Sequence, residues 1–365
     1  MRSISVTPLA VALAMAGTAG GAALADEGMR VSGPFVHDNL AIYLVHGASA
    51  DGPVPLTLQE AVAKGQVQVS ETGRVNELEI ENTGSQSVFI QAGDIVKGGR
   101  QDRVLTVSFL LPANSGRLPI ASYCVEQGRW SARGSEDQKR FSSAGEAMPS
   151  RSALLAMATP PAPKERAQPE AGLNPPSATA PLSQRVAREV DEVANKQRQV
   201  WDSVASTQRK LSQGLNAPVA SPQSASSLQL ALENEKLKGA QAAFTAALQP
   251  AGEKEADIVG YVVAINGRMS SANLYPSNAL FRKMWGKQLA ATVTEAIGEG
   301  GGSAPAAPPA PAAATQFLAD AEKGKSYQRP VAAGTLQEIR DADKFLYNEA
   351  RAADGQWIHR NYLAK

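Results

Sequence analysis

The chain has 365 residues and carries 36 lysines and arginines against 35 aspartates and glutamates, so its net charge is close to zero. Binding to nucleic acid needs a concentrated positive field, and only 5% of the residues are aromatic, so this composition argues against a nucleic-acid partner. The single cysteine, Cys124, cannot form an internal disulfide, and we expect it to be a buried free thiol.

The N-terminus has the features of a secretory signal peptide. Arg2 precedes an apolar, alanine-rich stretch that ends in the cleavage pattern Ala23-Leu24-Ala25. We therefore predict that residues 1–25 are removed and that the mature protein is periplasmic or extracellular. A transmembrane anchor is the alternative, but Pro8 and several glycines interrupt the stretch, and its length is marginal for a span. We expect no membrane span elsewhere in the chain.

The first half of the mature chain is predicted to be mostly antiparallel β-structure. A short helix follows Thr57, which is a natural N-cap, and Gly65 ends it. The turn at residues 82–85 is predicted to join two of the strands, 77–81 and 88–91, as a hairpin. Alternating or continuous apolar residues predict strands at 39–45, 67–69, 77–81, 88–91, 104–111 and 120–125.

The middle of the chain is predicted to be a loop followed by helices. Residues 142–182 are rich in Pro, Ala and Ser, which indicates a solvated connection. Apolar residues at helical spacing then predict a helix over 186–211 and a second over 226–248, stopped by Pro250. Together they suggest a helical hairpin packed on the sheet. Trp201 is best explained as a core anchor, with a ligand platform as the alternative.

The last third of the chain returns to β-structure. Residues 258–265 form a predicted strand that the tight-turn dipeptide Asn266-Gly267 ends. A helix is predicted over 278–297, and a Gly/Ala/Pro linker over 298–314. Two final strands, around the turn Asp354-Gly355, make a C-terminal β-hairpin.

These elements predict an α+β fold. Its core is a largely antiparallel β-sheet or sandwich, with an inserted helical hairpin and a C-terminal β-hairpin. Residues 26–365 are expected to form a single discontinuous domain, because cutting at the 142–182 loop or the 298–314 linker would leave short strands without partners.

Two polar segments, residues 93–103 and 124–130, stand out because they flank predicted core strands. Each places carboxylates and arginines beside glycines, where the backbone can approach a ligand closely. Arginine suits a bidentate grip on phosphate or carboxylate. If the neighbouring strands pair, the two segments meet at one end of the sheet. The cysteine-phosphatase loop is excluded there, because only four residues separate Cys124 from Arg129.

Two hypotheses follow for this cluster. Arginine–carboxylate pairs can hold strand ends together with no ligand present. Alternatively, the cluster binds a small phosphorylated molecule, with arginines on the anion, glutamines orienting it, and a carboxylate as general base or metal ligand. The candidate binding residues are Arg103, Arg129, Gln101, Gln127 and Lys97, and the candidate catalytic residues are Glu126 and Asp94.

The sequence also resembles a bacterial family of unknown activity, named for its association with ADP-ribosylglycohydrolases and rhodanese-phosphatases. The resemblance implies a one-domain α+β fold and a link to ADP-ribose or NAD-derived metabolites. The sequence departs from the pattern expected of the family at one position. An acidic residue is expected near Leu274-Tyr275, and this chain has Asn273 there. The matching stretches are residues 56–61, Gly93-Asp94 through Val104-Leu105, 124–130, Val200-Trp201, 259–267, and Leu280-Phe281 with Trp285.

No complete catalytic motif is present in the sequence. We therefore expect an exported, non-catalytic binding or structural domain of the cell envelope. The alternative is binding or hydrolysis of an ADP-ribose-like or other phosphorylated small molecule at the arginine–carboxylate cluster.

Overall fold

The structure is a computed structural model that describes residues 28–145, 148–158, 182–300 and 306–365. The predicted signal peptide, residues 1–25, lies outside the described residues. None of the helices in the described part of the chain is long and apolar enough to cross a membrane.

The described residues form strands in three sheets. The first sheet is a closed barrel, the second has three strands, and the third has eight. The strands are β1 (Arg30–His37), β2 (Leu40–His46), β3 (Leu56–Thr57), β4 (Val67–Glu71), β5 (Glu77–Asn82), β6 (Val88–Ile90), β7 (Ile95–Gly98), β8 (Arg103–Leu105), β9 (Phe109–Leu111), β10 (Gly116–Cys124), β11 (Arg140–Ser143), β12 (Ile258–Ile265), β13 (Arg268–Leu274), β14 (Lys325–Pro330), β15 (Leu336–Asp341), β16 (Phe345–Arg351) and β17 (Trp357–Ala364).

Helices cover and connect these sheets. The α+β class, the mostly antiparallel sheets and the C-terminal hairpin of β16 and β17 are confirmed. The helices are α1 (Leu58–Ala63), α2 (Arg151–Ala158), α3 (Leu182–Gly214), α4 (Leu228–Leu232), α5 (Glu235–Glu253), α6 (Asn278–Glu299) and α7 (Pro311–Ala321), with a short 3-10 helix at Ala332–Gly334.

The barrel has six strands in the order β10-β5-β4-β11-β7-β8. Its interior is filled by apolar side chains such as Val69, Ile80 and Leu105, all of which are buried. Strands β4 and β5 alternate inward apolar with outward polar residues, as their period-two sequence predicts. Pairing of β8 with β10 closes the barrel around this core.

The eight-stranded sheet has the order β1-β2-β12-β13-β17-β16-β15-β14. Its strands β2 and β12 are buried on both faces, which explains their continuous apolar sequence. One face packs against α5 and α6, where Trp285 is buried, and the other packs against α7 through Phe317. Asn266 and Gly267 both have positive φ, as expected for the tight turn that joins β12 to β13.

Several predicted connections differ from the structure. The hairpin predicted at residues 82–85 is wrong, because β5 pairs with β4 and β10 in the barrel, whereas β6 pairs with β3 and β9 in the three-stranded sheet. The single strand predicted over 104–111 is split between two sheets as β8 and β9. Thr106 and Ser108 bond to the backbone of other segments at the break, which takes these residues out of the ladder.

The helical region also differs in detail. Helices α3 and α5 both pack against α6. Pro250 does not stop α5, which continues to Glu253. The proline lies in the last turn, where the loss of one backbone bond is tolerated.

The predicted loops contain regular structure as well. The predicted 142–182 loop contains α2 and the end of β11, and residues 159–181 lie outside the described part. The predicted 298–314 linker contains the end of α6 and the start of α7, which has a proline at its first turn.

Candidate functional site

The structure brings the two polar segments together at one end of the barrel, where β7, β8 and β10 end or begin. Asp102 donates its backbone N–H to Glu126 Oε2 at 3.2 Å, and Gln101 Nε2 donates to the Glu126 carbonyl at 2.9 Å. Arg129 Nε donates to Glu126 Oε2 at 2.7 Å. We call this set the barrel-end network; its members are Glu71, Gln101, Asp102, Arg103, Glu126, Arg129, Arg133 and Glu136.

Both central carboxylates of the barrel-end network are fully buried and heavily bonded. Asp102 accepts from Gly98 N at 3.0 Å, from Ser227 Oγ at 2.9 Å and from Arg133 at 3.0 and 3.2 Å. Burial alone would lower the pKa of Arg133, but the hydrogen bonds and charge of Asp102, helped by Glu136, raise it. The carboxylates are therefore already occupied by the protein's own cations.

The arginines are held in the same way. Arg103, with no exposed surface, pairs with Glu71 at 3.2 Å and bonds to Gln101. Arg129 pairs with Glu126 and donates to the carbonyls of Gly98 and Gly99. The predicted candidates Glu126, Arg103, Arg129 and Gln101 thus lie together and bind one another.

The other three predicted candidates make their contacts outside the network. Asp94 forms a buried ion pair with Lys287 at 2.6 Å. Lys97 pairs with Glu233 at 2.8 Å. The side chain of Gln127 is exposed. The seven candidates therefore do not line one site.

A cleft of about 420 Å³ lies elsewhere, between strand β10 of the barrel, helix α3 and the edge strand β14. This volume suits a small molecule. Polar residues of all three elements reach it: Tyr123 from β10, Lys196 from α3 and Arg329 from β14. We call it the cationic cleft.

The two cations of the cleft have no carboxylate partner. Neither Lys196 nor Arg329 forms an ion pair within the described residues. Desolvation by neighbouring protein atoms lowers the pKa of both side chains. The positive charge of Arg329 lowers the pKa of Lys196 further, and the negative charge of Glu192 opposes this more weakly. Glu77 also lines the cleft, but it pairs with Arg74 at 3.2 Å. Within the described residues, the cleft therefore holds two cations that form no ion pair.

The cleft wall contains further groups that can bond to a ligand. Arg329 is fixed by donating its Nε to Gln337 Oε1 at 2.8 Å, although its side chain reaches solvent. Burial raises the pKa of Tyr123, so its phenol stays protonated and can donate. The Ser122 hydroxyl and Asn76 Oδ1 are buried without a partner in the described structure.

Sequence analysis did not single out Lys196, Arg329 or Tyr123. One signal for Lys196 was available, because it lies three residues after Val193 and four before Val200 and so shares the apolar stripe of its helix. A lysine on such a stripe points into the fold. Arg329 lies on β14, which no pattern predicted.

A second buried polar cluster surrounds Asn273, the position where an acid was expected. Asn273 Nδ2 donates to the Tyr261 hydroxyl at 2.7 Å, and Oδ1 bonds to His359 Nε2 at 3.1 Å. His359 Nδ1 then bonds to Ser108 Oγ at 3.0 Å. An amide suits this place because it both donates and accepts. Burial lowers the pKa of His359 to about 3, which makes it a weak base at neutral pH.

Comparison with known proteins assigns the chain to a protein family. No curated protein and no solved structure matches the chain. The sequence model of the ARPP-1 (ARG and Rhodanese-Phosphatase-superfamily-associated Protein) domain matches residues 28–363, nearly the whole chain. The chain therefore belongs to the ARPP-1 domain family, as the sequence resemblance predicted.

Proposed function

We propose that the protein is a non-catalytic binding domain whose cationic cleft takes a small molecule with a phosphate or carboxylate group. The observation that carries this proposal is the pair Lys196 and Arg329, a half-buried and an exposed cation that line one cleft and form no ion pair within the described residues. Two like charges beside one cleft repel each other, and a bound anion offsets that repulsion.

The same ligand class was expected at the arginine–carboxylate cluster. In our proposal that cluster is structural, because Glu126 and Asp102 are fully buried and bound to the protein's own arginines. Asp94 is likewise bound to Lys287. Glu126 and Asp94 then stabilise the fold and do not act on a substrate. The association of the family with ARG proteins is compatible with a phosphorylated ligand.

Export remains part of the proposal. Residues 1–25 have the charge, apolar stretch and cleavage pattern of a signal peptide. Mass spectrometry of protein from the cell envelope is expected to give a chain that starts at Asp26. Recovery of the uncleaved chain from the cytosol would overturn this part.

Calorimetric titration with inorganic phosphate, pyrophosphate and citrate tests the cleft. We expect saturable binding that weakens as salt is raised, because the contacts are ionic. Lys196→Ala and Arg329→Ala are each expected to weaken binding about tenfold or more, which corresponds to about 1.4 kcal/mol.

Lys323→Ala is the matched control, since Lys323 is an exposed cation paired with Asp320. This variant should bind as the wild type does. Absence of binding by all three anions at millimolar concentration, or equal binding by all four proteins, would overturn the proposal.

A further inference from the structure

An apolar groove continues from the cationic cleft along helix α3. It has a volume of about 470 Å³. Asn76 and Val193 line both the groove and the cleft, so the two are neighbours with a shared wall. The remaining lining residues of the groove are Val75, Ala194, Gln197, Arg198 and Trp201.

Trp201 forms part of this groove as a half-buried ring. The sequence favours a core role for it, but the structure leaves part of the indole against the open groove. Val75, on the facing loop of the barrel, is 43% exposed, which is unusual for a large apolar side chain in this protein. Val75 and Trp201 both line the groove and give it an apolar wall.

Two polar atoms of the groove walls lack partners in the described structure. They are the indole N–H of Trp201 and the side-chain oxygen of Asn76, one a donor and the other an acceptor. A buried tryptophan N–H usually has a hydrogen-bond partner. Both atoms belong to residues that line the groove.

Charge at the groove's rim has the same sign as in the cleft. Arg198 lines the groove and bonds to the Asn195 side chain, and it forms no ion pair among the residues that the structure covers. The apolar wall is therefore flanked by Lys196, Arg198 and Arg329. Such a surface favours an apolar group that carries an anion over a neutral or cationic one.

We infer that the groove binds a heteroaromatic ring joined to the anionic group that the cleft takes, so that the ligand is of the nucleotide class. A flat ring matches the indole face of Trp201, and stacking of bases on aromatic side chains is favourable for every base. A nucleobase also offers both donors and acceptors at its edge, which a phenyl ring or an alkyl chain lacks. This inference rests on the proposed function of the cleft.

Four ligands distinguish the contribution of the ring to affinity from that of the anionic group. They are inorganic phosphate, ribose 5-phosphate, phenyl phosphate and AMP. We expect AMP to bind about tenfold or more tightly than ribose 5-phosphate, with phenyl phosphate weaker than AMP. Trp201→Ala should remove the advantage of AMP and leave the affinity for ribose 5-phosphate unchanged. AMP should also quench tryptophan fluorescence in the wild type, and Trp201→Phe should abolish that quenching.

Trp130→Ala is the matched control, because Trp130 is 45% exposed, lies beside Arg100 and Arg103, and does not line the groove. It should keep the advantage of AMP. The inference is overturned if all phosphates bind but AMP binds no more tightly than ribose 5-phosphate. It is also overturned if Trp130→Ala lowers the affinity for AMP as much as Trp201→Ala does. In both cases the proposed function of the cleft is unaffected. If no phosphate binds, both fail.

Discussion

Arg133 and Asp102 form a bidentate ion pair inside the protein, with Nη1–Oδ2 at 3.0 Å and Nη2–Oδ1 at 3.2 Å. Asp102 has no exposed surface and Arg133 is 9% exposed. Asp102 also accepts from Ser227, the N-cap of helix α4. The pair therefore ties the end of the barrel to the helical region.

Asp102→Ala is expected to destabilise the protein by about 3–5 kcal/mol, because it leaves the Arg133 guanidinium buried without its main counter-charge. Urea unfolding measures this loss. The double variant Asp102→Leu with Arg133→Met should be more stable than Asp102→Ala, since the buried guanidinium is then removed together with its carboxylate. Glu136, which is partly exposed, loses its arginine, and Glu126 keeps Arg129. Arg117→Ala removes an exposed pair with Glu79 and should cost less than about 1 kcal/mol. Equal losses for Asp102→Ala and Arg117→Ala would contradict the structural role of the network.

Gly99→Ala is expected to be much more damaging than Gly134→Ala. Both glycines have nearly the same positive φ, +54° and +57°, so both substitutions carry the same backbone strain. At Gly99 the new Cβ would lie 2.3 Å from the buried Phe141 ring, whereas at Gly134 nothing lies within 4 Å. The steric clash should add about 1–3 kcal/mol to the loss of unfolding free energy. Equal midpoints in urea would show that the ring moves aside.

Local chemistry could be predicted from the sequence because its partners are close in the chain. Thr57 caps α1 with Glu60, and each side chain bonds to the other's backbone, at 3.2 and 2.8 Å. The turn at Asn266 and Gly267 needs only two residues that tolerate positive φ. The polar segments around Arg103 and Glu126 were visible because charges beside glycines are unusual at strand ends.

Sheet membership could not be predicted, because it depends on distant strands. The alternating residues of β5 and the apolar residues of β6 are as compatible with one hairpin as with two sheets. The cationic cleft was missed for the same reason. Lys196 and Arg329 lie far apart in sequence and become neighbours only when β14 takes the edge of the eight-stranded sheet. That neither cation pairs with a carboxylate in the described part of the chain follows from the fold, and no sequence motif indicates it.

Cys124 is expected to be almost unreactive in the folded protein. Burial raises the pKa of its thiol to about 11, so the thiolate that reacts with alkylating agents is scarce at pH 8. Labelling with iodoacetamide should be slow in buffer and fast in concentrated urea, with Cys124→Ala as the blank. Fast labelling of the native protein would mean that this end of β10 opens readily.

Stability is expected to fall in mild acid because of His359. Burial lowers the pKa of His359 to about 3, whereas an unfolded histidine titrates near 6.5. Between these values the unfolded chain holds one proton more than the folded protein, so stability rises with pH in this window and is lost as pH falls below about 6.5. The loss from this group alone is about 2 kcal/mol at pH 5. Urea unfolding at pH 7, 6 and 5 measures the slope, and His359→Asn should flatten it. A wild-type profile as flat as that of the variant would mean that protonated His359 is accommodated beside Ser108 and Asn273 without loss of the fold.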